Sequence, residues 1–243
     1  MASVTHAVAT ASTTDGSSFT SGAFTPAMDD LLIVLIAASD TVEATGGQTL
    51  TSSATRMSFT KVNGTAYSTS ANLVELWVAN NLVTDTASQT VTWGCPSDAA
   101  TGCVIAVARV SGMARCGANA IRQSAVTANG AAGGTPGTTF TAAALTGNVT
   151  IGVVGNSTNP ATVTEPSGWT EAVDTGYATP TTGLEYVYRN SGSTATAITW
   201  GNKSSASVFG VVSAELDTTT PTAPVSALMA PPIPAPAPFE LVP

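Results

Sequence analysis

The chain has 243 residues and a formal net charge of −8, with only seven Lys and Arg, 9% charged residues and 43% hydrophobic residues. Seven scattered cations cannot track a phosphate backbone or hold an anionic bilayer surface, so neither nucleic acid nor a membrane is an expected partner. Disorder is not expected either, because disordered chains lack aliphatic runs such as LLIVLIAA (31–38) and CVIAVARV (103–110), which are also too short to span a bilayer.

In chain order, short apolar or alternating segments are separated by clusters of Gly, Pro, Asn, Asp and Ser. The opening MASVTHAVAT has no basic segment followed by an apolar one, so no secretory signal is read and synthesis in a cytoplasm is expected. Strands are expected near 4–10, 18–24, 31–38, 48–53, 57–63, 73–79, 89–94 and 103–111. A second set is expected near 119–126, 137–142, 148–155, 161–165, 168–174, 183–189, 196–201 and 206–216. Asp29 and Asp30 read as a solvated turn, and GAAGGTPG (130–137) as a flexible loop rather than a phosphate loop. Cys95, Cys103 and Cys116 are odd in number, which argues against a complete disulfide framework. Cys95 and Cys103 flank a turn-rich stretch and could face each other, but separate thiols are the simpler reading. The fold class is all-β: two tandem, similar antiparallel β-sandwich (jelly-roll-like) units, 1–112 and 113–217, followed by a Pro-rich C-terminal arm, 218–243.

The tandem reading rests on a repeat. SFTKVNGTAYSTSANLVELWVANN (58–81) aligns with GWTEAVDTGYATPTTGLEYVYRNS (168–191). Phe59 matches Trp169, Tyr67 matches Tyr177, Glu75 matches Glu185 and Asn80 matches Asn190, each offset by 110 (169 − 59 and 190 − 80). Trp93 in TVTW matches Trp200 in AITW, offset by 107 (200 − 93). A repeat of this period is a whole β domain rather than a solenoid unit. Alternation places Val74, Leu76 and Val78 inside, and Glu75 and Glu185 on an outer face where a charge is cheap. Trp93 and Trp200 recur in phase with the apolar face, so they read as core plugs rather than sugar-stacking platforms.

The last 26 residues hold more than half of the chain's 14 prolines. Proline fixes φ and removes a donor, which excludes a central strand or helix and favours an extended arm able to reach about 80 Å. Leu228, Met229, Ile233, Phe239, Leu241 and Val242 are apolar anchors suited to docking on a neighbouring subunit. Catalytic chemistry is sparse. One histidine, His6, stands in the chain, no His/Cys metal spacing appears, and no cofactor is implied.

PSGWTEAVDTG (166–176) and LEYVYRNSGSTATAITWGNKSSASVFGVVSAEL (184–216), with RVSGM (109–113) upstream, resemble a Gly-Trp-Thr β-sandwich repeat of bacteriophage and prophage structural proteins. The likeness is strongest over 109–216 and fainter over 4–111, where Ser58-Phe59 replaces Gly-Trp. It implies a non-enzymatic virion protein resembling capsid decoration (cement) proteins, located in the virion and made in the host cytoplasm. The implied partners are the major capsid protein and neighbouring copies of itself, as a homo-oligomer, a trimer by analogy. The alternative is a receptor- or glycan-binding module of a phage fibre or tail.

Overall fold

The structure, a computed structural model, describes residues 1–39, 47–68, 72–95, 99–129, 134–157, 163–178, 181–201 and 208–219. All strand pairs among the described residues are antiparallel. The first half contains β1 (Ser3–Ser12), β2 (Ser18–Thr20), β3 (Leu31–Ser39), β4 (Thr49–Ser52), β5 (Phe59–Tyr67), β6 (Asn72–Ala79), β7 (Val91–Gly94) and β8 (Gly102–Ser111). A 3-10 turn, Gly117–Ala120, leads into β9 (Ile121–Asn129), β10 (Gly137–Thr139), β11 (Val149–Asn156), β12 (Thr170–Ala178), β13 (Thr181–Arg189), β14 (Ala197–Thr199) and β15 (Phe209–Leu216).

The first half winds as β1-β8-β3-β6-β5 in one sheet and β2-β7-β4 in another. Orders 1-8-3-6 and 2-7-4 are the two sheets of a jelly roll. The fifth strand crosses over to extend the larger sheet, while an isolated bridge, Thr51↔Ser58, still ties its start to β4. The second half repeats this order as β9-β15-β11-β13-β12 and β10-β14. The strand expected at 161–165 is reduced to the bridge Thr164↔Gly201, with 161–162 outside the described residues.

Register makes the repeat specific. Thr60↔Val78, Lys61↔Trp77, Gly64↔Glu75 and Tyr67↔Asn72 in the first half become Thr170↔Tyr188, Glu171↔Val187, Asp174↔Glu185 and Tyr177↔Thr182 in the second. Both hairpins carry a bulge at the same place, between Lys61 and Asn63 and between Glu171 and Val173. The expected end of the fifth strand near 63 is corrected by this feature. The bulge at Val62 absorbs the irregularity, and the strand runs on to Tyr67.

The large sheets pack face to face. β5 lies against β9, β1 against β12, β6 against β15 and β8 against β13, with β3 and β11 at the centre, so the halves are related by a pseudo-twofold axis. Along β6, Val74 reaches this interface, where its Cγ1 lies 2.7 Å from a Cβ built on Gly210. Glu75, one residue on, faces the small sheet, since the Trp93 indole of β7 bonds it. The result is four layers, small sheet, large sheet, large sheet, small sheet, with apolar cores in the gaps.

Four layers overturn one expectation. Alternation does put Glu75 and Glu185 on the face away from the other half, but the small sheets cover that face. Glu75 is 0% exposed and Glu185 1%. Trp93 and Trp200 are buried at 0% and 1%, as core plugs should be.

Candidate functional site

The anchors assigned to the arm, Leu228, Met229, Ile233, Phe239, Leu241 and Val242, lie outside the described residues, as do 130–133 of the Gly-rich loop. The root of the arm is described and is firmly tied. The Asp217 N–H donates to the Ala120 carbonyl at 2.8 Å, and the Thr218 hydroxyl donates to the Gly147 carbonyl at 3.0 Å. Arg115 pairs with Asp217 at 3.4 Å and donates to the Thr219 carbonyl at 3.1 Å. The arm therefore departs beside the segment that joins the halves.

The buried carboxylates of the sheets lie in a few constellations. The Glu75 carboxylate sits on β6 under the small sheet. The indole N–H groups of Trp77 and Trp93 both donate to its Oε2 at 2.9 Å, and Lys61 Nζ donates to Oε1 at 2.9 Å. Lys61 also donates to Gln48 and lies 5.8 Å from the Trp77 ring centroid, within cation–π range. The carboxylate thus joins β5, β6 and β7 across two sheets, and its burial is tolerable because donors surround it.

A second constellation centres on Asp30, which corrects the expected solvated turn at that residue. Asp30 is 1% exposed and accepts from Arg109 Nε at 2.8 Å and from the Ala27 N–H at 2.9 Å. Arg109 in turn donates to the Thr25 carbonyl. Asp29 is exposed, as a solvated turn requires, whereas Asp30 is not, because its carboxylate pairs with an arginine on β8. The repeat reverses the charges here. Leu32↔Arg109 corresponds to Thr150↔Glu215, and Glu215 accepts from Asn148, the Leu145 N–H, Arg122 and Gln123. Burial alone would raise the Glu215 carboxyl, but these donors hold it below its ordinary value.

His6 faces the other half, where its Nδ1 is 2.9 Å from the Tyr186 hydroxyl. Burial lowers its pKa and raises that of Tyr186. Tyr67 mirrors this bridge from β5, with its hydroxyl 3.2 Å from Thr182 Oγ1 and its pKa pushed up by burial to about 12. His6 is thereby engaged as an interlayer bridge, with no cysteine or serine nucleophile beside it in the described contacts. Cys95, Cys103 and Cys116 form no disulfide with one another, and burial raises Cys103 well above the usual thiol value.

No group of three or more His, Cys, Asp or Glu among the described residues is placed to hold a metal ion. No helix among them is long and apolar enough to cross a membrane. Sequence reasoning missed Lys61, Gln48, Arg109, Asp30 and Arg122 as structural partners. The available signal was the scarcity of charge, since a lone Lys or Arg in an apolar strand needs a buried acid nearby. Comparison with protein-family models, curated proteins and solved structures finds no match to this chain.

Proposed function

We propose that this chain is a structural virion protein, a capsid decoration protein that stabilises a phage head through subunit contacts and its C-terminal arm. The observation that carries this reading is how the ionisable groups are used. Glu75 and His6 tie layers to one another, Asp30 with Arg109 and Glu215 with Arg122 join neighbouring strands of a large sheet, and each of the three carboxylates accepts from protein donors. Such a body is suited to bearing load rather than to turning over a substrate. An apolar, Pro-rich arm of the kind read in 218–243 suits attachment, because proline limits the freedom lost on docking. The Gly-Trp-Thr resemblance supports the same reading. Burial of Trp93 and Trp200 removes the two aromatic platforms that a glycan-binding module would use.

Quantitative mass spectrometry of purified virions tests the proposal. The chain is expected in fixed, high-copy ratio to the major shell protein. Its absence from particles, or its presence in only a few copies, would overturn the reading.

A further inference from the structure

The same glutamate stands at equivalent positions in the two halves, but its surroundings differ. Where Glu75 has Lys61, Trp77 and Gly64 around it, the shared register gives Glu185 Glu171, Val187 and Asp174. Both Glu185 oxygens are buried without a hydrogen-bond partner, and so is the Trp200 indole nitrogen. Trp200 has settled instead over Gly152, where an added Cβ would lie 2.6 Å from its ring, whereas the first half has Val34 at that position.

Among the described residues, the charged groups facing Glu185 are Glu171 and Asp174 from β12 and Glu165 from the segment before it. Its pair partner on β11 is the uncharged Val154, and β14 leads into Trp200. A carboxylate out of water, ringed by carboxylates and met by no cation among these groups, is held in its neutral form.

We propose that Glu185 is a proton-binding site that latches the outer β10–β14 layer onto the second half: protonated, it stays closed under that layer, and loss of the proton releases it. This inference does not depend on the virion reading. Burial first, then the charges of Glu171 and Asp174, push the carboxyl up to about 8. The Trp200 N–H is close enough to oppose that rise but short of hydrogen-bond geometry.

The closed state holds its proton up to about pH 8, while an opened carboxyl loses it above 4.5. Below 4.5 both states are protonated and the latch costs nothing. Between these values the open state gains about tenfold in population per pH unit. Above about 8 the penalty is complete and level. The first half is the internal comparison, because there Lys61 and two indoles donate hydrogen bonds to the equivalent Glu75.

The test is amide hydrogen exchange on the full chain between pH 5 and pH 8, expressed as protection factors so that the intrinsic rate divides out. Relative to Glu185→Gln, protection of β13 and β14 in the wild type should fall about tenfold per pH unit, while β6 and β7 stay parallel. Glu171→Lys, which restores the first half's cation, should flatten the same slope. Taking the difference from Glu185→Gln removes the contribution of His6, whose lowered pKa acts in the opposite sense. Parallel wild-type and Glu185→Gln profiles would overturn the proposal. Should Glu185→Gln fail to fold, an unchanged slope in Glu171→Lys overturns it instead.

Discussion

Trp93 and Trp200 occupy matching strand ends and are equally buried, yet only Trp93 donates a hydrogen bond, to Glu75. Replacing either by Ala removes a large core side chain and should cost about 3–5 kcal/mol. Phe separates the two, because it keeps most of the volume and loses the N–H. Trp93→Phe should cost about 1–3 kcal/mol more than Trp200→Phe in urea unfolding, since it leaves a buried carboxylate short of a donor. Equal losses would mean that the Glu75 constellation contributes nothing. Lys61→Met should destabilise by about 2 kcal/mol or more, because it strands one oxygen of a buried carboxylate. Of these residues the tryptophans were legible in the sequence, being apolar and in phase with their strands. The fate of Glu75 and Glu185 was not. Alternation tells which face a side chain takes, but not whether another sheet lies over that face.

At the scale of elements, the repeat was legible because a β hairpin constrains its sequence every second residue. Phe59/Trp169, Tyr67/Tyr177 and Glu75/Glu185 kept one offset, and the structure gives both hairpins one register and one bulge. The length of β5 was less legible, since Asn63-Gly64 has the composition of a turn. Gly64 is there for another reason: an added Cβ would lie 3.1 Å from the Glu75 Cγ and from the Val74 carbonyl. The strand expected at 161–165 was also less legible, because so short a segment carries too few side chains to reveal that, among its described residues, Thr164 alone pairs. Between the large sheets, Gly155 and Gly210 make room for Tyr67: a Cβ at Gly155 would lie 2.7 Å from its hydroxyl and one at Gly210 2.7 Å from its ring. Gly210→Ala should therefore overpack the interface and cost about 1–3 kcal/mol, and Val74→Ala in the same chain should recover part of the loss. Strict additivity of the two changes in denaturant unfolding would place Gly210 elsewhere than against Val74.

For the whole molecule, the two jelly rolls share a core between their large sheets, so they should unfold together rather than as separate beads. Tyr67–Thr182, His6–Tyr186 and Asn190–Val4 cross that core. This joining was not legible, because a five-stranded sheet with two apolar faces reads in sequence much like one buried strand after another. Thr218 and Thr219 are the last described residues and are hydrogen-bonded to the body, so the cut that removes the arm and spares these bonds falls after Thr219. On the proposed decoration role, phage heads lacking the chain and titrated with either the full chain or a chain ending at Thr219 provide the most direct measurement, with bound copies counted per shell. The account predicts equal melting temperatures for the two chains, saturable binding at a fixed ratio by the full chain, and much weaker binding by the shortened one. Equal binding by both would contradict it and leave the sandwich surfaces as the only attachment.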